Sequence, residues 1–255
     1  MRWLLGGWRP ALVLAALLGA WELYADIGTS SRRLIFPAPH QVASALYSDR
    51  ALLWSNFLVT FREIVLGILL AAVAAFALAV AIHFSRTLRG ALYPLIVASQ
   101  TIPIPMIASL LVLWLGFGIL PKLVVIGLVS FFPIVVTTLA GFASVDSEVV
   151  KVMRTFDASR TRTFRHVELP SALPGVLTGA KVAVVVAVIG AVFAELSGAS
   201  SGLGYLYEQS INQLLTPRAY AAVAILSAFA IVLFLLLTAA ERLAVPWAYH
   251  RQGDS

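Results

Sequence analysis

Residues 143 to 175 read ASVDSEVVKVMRTFDASRTRTFRHVELPSALPG, a polar stretch inside an otherwise apolar chain. We call this stretch the polar island. It holds four of the five acidic residues that lie between Glu63 and Glu208. Six of the eighteen lysine and arginine residues of the chain lie in it or just beyond it, counting Lys181. Charge gathered into one internal loop of an apolar chain indicates a loop with a binding partner, and we expect a protein on the cytoplasmic side.

The composition around the polar island is that of a polytopic membrane protein. The 255 residues are 60% apolar and 12% charged, whereas soluble domains are about half apolar and about a quarter charged. The sequence has no cysteine, which excludes disulfides, thiolate nucleophiles and cysteine metal sites. The net charge of +6 fits basic residues held in cytoplasmic loops. We expect no nucleic-acid partner, because no basic run is interleaved with aromatic residues.

The apolar segments predict an all-α protein with about six transmembrane helices in a lipid bilayer, since one span needs about 20 mostly apolar residues. The segments are residues 11–26, 57–82, 91–115, 119–141, 176–197 and 219–243. The first is the weakest, because it contains Glu22, and it also fits a secretory signal peptide. We favour a retained helix, since Trp21, Glu22 and Tyr24 make a poor cleavage region. A short interfacial helix is predicted from His40 to Tyr47.

The distribution of basic residues predicts the orientation, because lysine and arginine are in excess in cytoplasmic loops. With the N-terminus inside, twelve of them lie cytoplasmic or at the inner boundary: Arg2, Arg9, Arg86, Arg89, Lys151, Arg154, Arg160, Arg162, Arg165, Lys181, Arg242 and Arg251. Six lie outside: Arg32, Arg33, Arg50, Arg62, Lys122 and Arg218. We therefore predict a multi-pass membrane protein with both termini cytoplasmic.

The third apolar segment is interrupted by Ile102-Pro103-Ile104-Pro105. Two prolines at this spacing force a kink or break, which a membrane tolerates only where protein or water satisfies the freed carbonyls. Polar residues at such a break are a sensible substrate path. The predicted path residues are Ser99, Gln100, Thr101 and Pro103, with Ser130, Phe131 and Phe132 as a gate in the fourth segment. Simple helix packing is an equal alternative for all seven.

The polar island itself predicts two short helices joined by a tight turn. Asp146 is a good N-cap for the first helix, and Ser159 can cap a second helix that runs to about Val167. The segments Leu169-Pro170 and Leu173-Pro174-Gly175 are predicted to stop that helix and return the chain to the membrane. Two helices in this arrangement make a projection that fits a groove on another protein.

The spacing within the polar island matches a known motif. Lys151-Val152-Met153 is followed by Asp157, then Val167, then Leu169-Pro170. This spacing resembles the Glu-Ala-Ala…Gly…Ile-x-Leu-Pro loop in the membrane subunits of binding-protein-dependent bacterial ABC importers. Further segments resemble the branch that imports nitrate, sulfonates, taurine and pyrimidine vitamin precursors: Pro37-Ala38-Pro39, Ser99-Gln100-Thr101-Ile102-Pro103, Phe131-Phe132-Pro133, Ala158-Ser159-Arg160 and Gly202-Leu203-Gly204-Tyr205. The resemblance covers residues 36 to 247.

The resemblance implies a type I ABC importer permease fold: one permease domain over residues 1–255, with its core at about 57–243 and a cytoplasmic coupling loop at 143–175. It implies a cytoplasmic ABC ATPase dimer, an extracytoplasmic substrate-binding protein and a second permease copy, with a homodimer favoured. ATP and magnesium would bind the ATPase, so this chain would carry no cofactor, metal or catalytic residue. The implied coupling residues are Lys151, Val152, Met153, Phe156, Asp157, Ala158, Ser159, Arg160, Leu169 and Pro170.

Two positions depart from the family motif. Lys151 stands at the glutamate position, so a contact between that carboxylate and a basic ATPase residue would be absent or reversed. Asp157 stands at the glycine position. Glycine serves there because the turn can demand a positive φ, and aspartate is among the few other residues that adopt it at modest cost. We therefore expect the turn to be retained.

Three observations bear on other functions. Glu195, deep in the fifth apolar segment, is expected to be a structural carboxylate that accepts hydrogen bonds from the turn at residues 198–204, with a gating or proton-relay role as alternatives. Arg62 and Glu63 are expected to be interfacial anchors rather than a matched pair. The four histidines, His40, His83, His166 and His250, are scattered without converging carboxylates. No metal site or intramembrane enzyme is therefore predicted.

A secondary transporter driven by an ion gradient is the main rival. It predicts charge pairs within the membrane and an internal repeat, and the sequence shows neither. A vitamin importer with a membrane-embedded binding component is a closer rival, but its coupling helices lack the spaced Leu-Pro ending. Within the favoured family, a small anion and a vitamin precursor both remain open as the solute. Residues 99–103 and 241–247 are more similar to the pyrimidine-precursor and riboflavin-type members.

Overall fold

The computed structural model describes residues 8–27 and 35–247, and these ranges contain helices but no strand. In chain order the helices are α1 (Trp8–Asp26), α2 (Pro39–Ser48), α3 (Arg50–Phe84), α4 (Arg86–Ser99), α5 (Ile104–Leu115), α6 (Ile119–Ala143), α7 (Ser147–Thr155), α8 (Arg160–Thr163), the π-helix Phe164–Glu168, α9 (Leu169–Leu196), α10 (Leu203–Asn212) and α11 (Thr216–Ala244). The all-α prediction is confirmed. Arg2, Arg32, Arg33, His250 and Arg251, used above, lie outside the described residues.

Five of the six predicted spans correspond to helices long and apolar enough to cross a bilayer. Four are single helices: α3, α6, α9 extended back to Arg160, and α11. The fifth is the bent pair α4 and α5. The count of six is not confirmed, because α1 is not among these candidates within the described residues. Its apolar run is shortened by Arg9 at one end and by Glu22 and Asp26 at the other.

The described residues form two compact units, and the first comprises residues 8–27, 35–59 and 200–227. Polar contacts tie its segments together. The Arg218 guanidinium donates two hydrogen bonds to the Asp49 carboxylate, at 2.7 and 3.2 Å. The Asn56 side-chain oxygen accepts from the backbone N–H of Gly202 at 2.8 Å. A helix is confirmed at the predicted position as α2, which begins one residue earlier and ends one residue later than expected. Its location at the membrane interface stays a prediction.

The second unit comprises Thr60–Ala199 and Ala228–Ser255, and its central contact is between α6 and α9. The two backbones approach closely because glycines line the contact. A Cβ atom on Gly175 would lie 2.5 Å from the Thr137 carbonyl oxygen, and one on Gly141 would lie 2.9 Å from the Ala172 carbonyl oxygen. Small residues are the usual way in which membrane helices pack closely. The contact leaves no room for side chains at these positions, so α6 and α9 form a tightly fitted pair.

The proline break predicted in the third apolar segment is confirmed. Helix α4 ends at Ser99 and α5 begins at Ile104, and the two helices are bent by 99°. The backbone carbonyl of Pro103 accepts from Met106 at 3.1 Å and so starts the new helix.

The prediction that prolines stop the second island helix is wrong. Residues 160–196 form one continuous helical run through Pro170 and Pro174. A proline lacks the N–H that an α-helix needs, and here the π-helix precedes it. The Leu169 N–H donates to the Phe164 carbonyl, five residues back. This wider turn changes the hydrogen-bond register just before Pro170, and Pro170 then sits in the first turn of α9, where its missing donor costs least.

Candidate functional site

The first half of the polar island folds as predicted. The Asp146 side chain accepts from the Glu148 N–H at 2.8 Å and caps α7. The helix ends at Thr155, and Asp157 follows with φ of 51°. The Asp157 N–H donates to the Arg154 carbonyl at 3.0 Å, and the Ala158 N–H donates to the Met153 carbonyl at 3.1 Å. Asp157 therefore occupies the left-handed conformation that the family glycine position demands.

One face of α7 is apolar and exposed. Val149, Val152 and Phe156 are 44%, 53% and 77% exposed, and Met153 is half-buried. Their spacing of three and four residues places Val149, Val152 and Phe156 along one side of the helix. Lys151 is engaged within the helix, since its Nζ donates to the Glu148 carboxylate at 2.8 Å. An exposed phenylalanine at the tip of a polar loop is a typical anchor for a protein partner.

The second half of the island is attached to the membrane helices. The Ser159 side chain accepts from the Arg162 N–H at 3.3 Å. Arg160 donates to the Phe84 carbonyl at 3.2 Å, and its guanidinium lies 4.8 Å from the centre of the Phe84 ring. The half-buried Leu169 and Pro170 begin α9 without a break. The island is therefore connected to α9 by continuous helix and to the end of α3 by Arg160.

Substitution of Asp157 tests the turn between the two island helices. Asp157→Gly is expected to leave the thermal unfolding midpoint of the purified protein unchanged or slightly altered, because glycine adopts positive φ freely. Asp157→Val is expected to cost about 1–2 kcal/mol, since a β-branched residue is strained in this conformation. Equal midpoints for the two variants would contradict the assigned backbone conformation.

A cavity of about 390 Å³ lies beside the α4–α5 break. Of the predicted path residues, Ser99 and Gln100 line it, together with apolar side chains of α5 and α6 and the ring of Trp114. The Ser99 hydroxyl donates to the Ile96 carbonyl at 2.7 Å, so one carbonyl near the end of α4 is satisfied by a side chain. Among the residues that the structure describes, no charged residue lines the cavity.

The other predicted path residues lie elsewhere. Thr101 and Pro103 are exposed in the connection between α4 and α5 and do not line the cavity. Ser130 is fully buried in α6, and Phe131 and Phe132 pack against the buried cluster that contains Ile82 and Ile134. Ser130 is thus a core residue, as the packing alternative expects, whereas the half-buried Phe131 also lines a separate cavity of about 360 Å³ between residues of α3 and α6. The role of all seven residues in transport stays a prediction.

The structure also brings together a buried polar cluster that the sequence analysis missed. Lys122 Nζ donates to Glu63 Oε1 at 2.6 Å, and the two residues are 7% and 3% exposed. Glu195 lies beside them, within reach of Glu63, and accepts from the Thr60 hydroxyl at 2.6 Å. The expectation that Glu63 is an interfacial anchor is therefore wrong. The pairing escaped notice because the two residues are 59 positions apart on different helices, and no local pattern connects them.

Glu195 is positioned by both side chain and backbone. Its carboxylate accepts from Thr60, and its backbone carbonyl accepts from the Ala199 N–H of the following turn at 3.0 Å. The residue is 1% exposed. A structural or gating role stays a prediction, with Glu63 and Lys122 as the neighbours through which it would act.

Further carboxylates have partners that the sequence analysis did not foresee. Lys181 donates to the largely buried Glu241 at 2.6 Å, so the expectation that charge pairs are missing is wrong. His83 Nε2 lies 2.7 Å from Glu168 Oε2, and His40 pairs with Glu22. Ligand atoms of His40, Glu22 and Asp26 lie within 4.8 Å of one another. The four histidines are thus not all remote from carboxylates, while the prediction of no bound metal stays a prediction.

Comparison with known proteins identifies a matching family model and relatives of this chain. Residues 63–248 match the family model described as binding-protein-dependent transport system inner membrane component. The chain is 35% identical over 243 residues to a probable ABC transporter permease protein of Haemophilus influenzae, covering 95% of this chain and 96% of the relative. It is 33% identical over 240 residues to the formylaminopyrimidine transport permease protein ThiX of Halalkalibacterium halodurans, covering 94% and 95%.

The fold is also that of a solved transporter. An inward-facing structure of the MetNI methionine ABC transporter matches with a TM-score of 0.68 at 15% identity, covering 77% of this chain and 98% of that chain. At this identity the match concerns the fold. It agrees with the type I importer permease fold predicted from the sequence.

Proposed function

Because the chain belongs to the family of binding-protein-dependent transport system inner membrane components, a multi-pass family of ABC importer permeases, we propose that it forms the translocation path for a small solute. Power would come from a cytoplasmic ABC ATPase dimer that binds ATP and magnesium. An extracytoplasmic binding protein would deliver the solute, and a second, identical permease copy would complete the path. The observation that carries the proposal is the exposed apolar face of α7, tipped by Phe156.

The polar island would act as the coupling loop, with both chain termini on the same, cytoplasmic side. Val152 and Phe156 would insert into a cleft of the ATPase, where burial of a phenylalanine contributes about 1.5–3 kcal/mol. Closure of the ATPase dimer would then move the island. Since residues 160–196 are one continuous helical run and Arg160 binds the end of α3, the movement would reach α9 and α3 as rigid bodies.

The close packing of α6 on α9 would carry the movement to the cavity. Glycine contacts at Gly141 and Gly175 leave no slack between the two backbones, so α6 must follow α9. Helix α6 supplies Leu128 and Val129 to the lining beside the α4–α5 break. A rotation of α9 would therefore change the shape of the cavity that Ser99 and Gln100 line. Movement of the ATPase would thus reach the solute path through helix packing, and no charged residue of the described cavity lining would take part.

The chemistry of the cavity favours a neutral vitamin precursor over a sulfonate or nitrate. A permanently charged anion would meet no cation in the lining, and an unpaired charge in an apolar site is costly. Ser99, Gln100 and Trp114 could instead hydrogen-bond and stack against a small heteroaromatic ring.

The experiment that tests the proposal is purification of the chain from its native host with the proteins that accompany it, followed by reconstitution into liposomes. We expect a soluble ATPase and a binding protein to accompany it, and we expect uptake to require both proteins and ATP. A chain that purifies alone and transports its solute on an ion gradient without ATP would instead be the secondary transporter. That rival predicts charge pairs, and Glu63–Lys122 and Lys181–Glu241 are two such pairs.

A further inference from the structure

A second cavity, of about 550 Å³, lies beside the polar island at the end of α3. We call it the basic pocket. Its charged lining residues are Arg86, Arg154, Arg160 and Glu168. Arg86 is the first residue of α4, and Arg154 lies in the last turn of α7. The lining thus gathers residues from two stretches that are far apart in sequence, 83–86 and 150–168, and it contains three guanidinium groups and one carboxylate.

Two of these four residues already have partners. Arg160 donates to the Phe84 carbonyl and stacks on the Phe84 ring. The Glu168 carboxylate is bound by His83 at 2.7 Å. The His83 ring is itself packed against Phe142 and Phe164, with centroid distances of 4.6 and 5.8 Å. The Glu168 carboxylate is therefore already hydrogen-bonded to His83, and the His83 ring is packed against two phenylalanine rings.

The other two arginines have no such partner. Within residues 8–27 and 35–247, the side chains of Arg86 and Arg154 make no ion pair and no hydrogen bond. Both are exposed, so their donors are available to a ligand that enters the pocket. A guanidinium group presents a planar fork of donors that matches the oxygens of a phosphate group. The positive end of the α4 helix dipole lies at the same edge, because Arg86 begins that helix.

The position of the pocket suits a phosphate group carried by a lipid headgroup. Helix α3 is apolar along its span and ends at Phe84, which lines the pocket. The pocket therefore lies where the apolar surface of the membrane helices gives way to the charged island. Basic pockets at such a boundary bind the headgroups of anionic lipids.

We propose that the basic pocket binds a phosphate group, carried by an anionic phospholipid headgroup or present as a free anion. The site rests on the proposed function only for its cytoplasmic placement. Bound phosphate would connect Arg86 at the start of α4 to Arg154 on α7. It would thereby fix the island relative to the membrane helices before the ATPase docks.

The test measures ligand binding to the purified full-length chain in detergent by native mass spectrometry, without ATPase or transport. The probes are phosphatidylglycerol, phosphatidylcholine and inorganic phosphate. The Arg86→Gln/Arg154→Gln double variant is expected to bind phosphatidylglycerol at least about tenfold more weakly, because two charge-assisted contacts are lost. The matched control, Arg89→Gln/Arg165→Gln, removes the same charge from exposed positions outside the lining and is expected to bind within about twofold of the parent.

These outcomes distinguish binding in the basic pocket from nonspecific binding elsewhere on the protein. Equal loss in both double variants, or loss in neither, would overturn the site, as would equal binding of phosphatidylcholine and phosphatidylglycerol. If millimolar inorganic phosphate displaces the lipid, free phosphate is a source; if the lipid remains, the headgroup is the source. Arg86→Lys/Arg154→Lys keeps the charge without the planar fork, and an affinity between parent and glutamine variant is expected. That lysine variant carries the test if the glutamine variant does not fold. Because no ATPase takes part, the result is independent of the coupling proposal.

Discussion

Phe156→Asp is expected to lower the affinity of the permease for its ATPase at least about 30-fold, the effect of losing about 2 kcal/mol at a central anchor residue. Phe156 is 77% exposed, so the substitution removes no contact of the chain's own core. The aspartate would instead place an unpaired charge in the cleft that receives the aromatic ring. The affinity is measured by titrating the purified ATPase onto immobilised permease, and ATP-driven uptake is measured in liposomes with the same variant.

The control for this prediction is Thr161→Asp, which adds the same charge to the polar island away from the apolar face of α7. Thr161 is exposed and lies in the first turn of α8, where a negative charge is favourable. We expect the control to retain affinity and uptake. The combined substitution of Val152, Met153 and Phe156 by aspartate should abolish both. Normal ATP-driven uptake by that triple variant would show that the apolar face of α7 is not the docking surface.

Local patterns in the sequence predicted the parts of this protein that depend on neighbouring residues. The N-cap Asp146 and the break at Pro103 were predicted, since each follows from the intrinsic geometry of one residue and its immediate neighbours. The left-handed Asp157 was expected from the glycine position of the motif that the loop resembles. The exception is instructive. Pro170 was expected to end a helix, whereas the π-helix before it lets the helical run continue. A proline limits the hydrogen bonds available to a helix, but the preceding turn determines whether the helix ends.

The candidate site was predicted less completely than the fold, because its groups come from distant segments. Ser99 and Gln100 were found from their position beside a proline break, and they line a cavity. Ser130 was selected by the same polar-in-apolar reasoning and is fully buried, and within the described residues its hydroxyl has no hydrogen-bond partner. The polarity of a residue in an apolar segment therefore does not show whether the residue lies at a cavity or in the core. Only the packing of the helices shows that.

The buried cluster of Glu63, Lys122 and Glu195 shows the same principle for charge. Single intramembrane ionisable residues are expensive and therefore imply partners. Sequence spacing could not identify the partner, since Glu63 and Lys122 lie on α3 and α6. The structure shows two carboxyl groups beside one ammonium group. The cluster therefore connects α3, α6 and α9. Removal of its one ammonium group would leave buried carboxyl groups without a positive partner.

Lys122→Met is accordingly expected to destabilise the protein by about 3–5 kcal/mol, the usual cost of removing one partner from a buried ion pair. The substitution leaves Glu63 and Glu195 adjacent without a cation. Glu63→Gln should cost less, because the amide oxygen still accepts from Lys122 and one carboxylate still balances one ammonium group. The Glu63→Gln/Lys122→Met double variant should recover part of the loss seen with Lys122→Met. Thermal unfolding in detergent measures all three variants. The control is Arg89→Gln, which removes an exposed positive charge that makes no ion pair within the described residues. A Lys122→Met midpoint equal to that of Arg89→Gln would show that the pair does not hold α3 to α6.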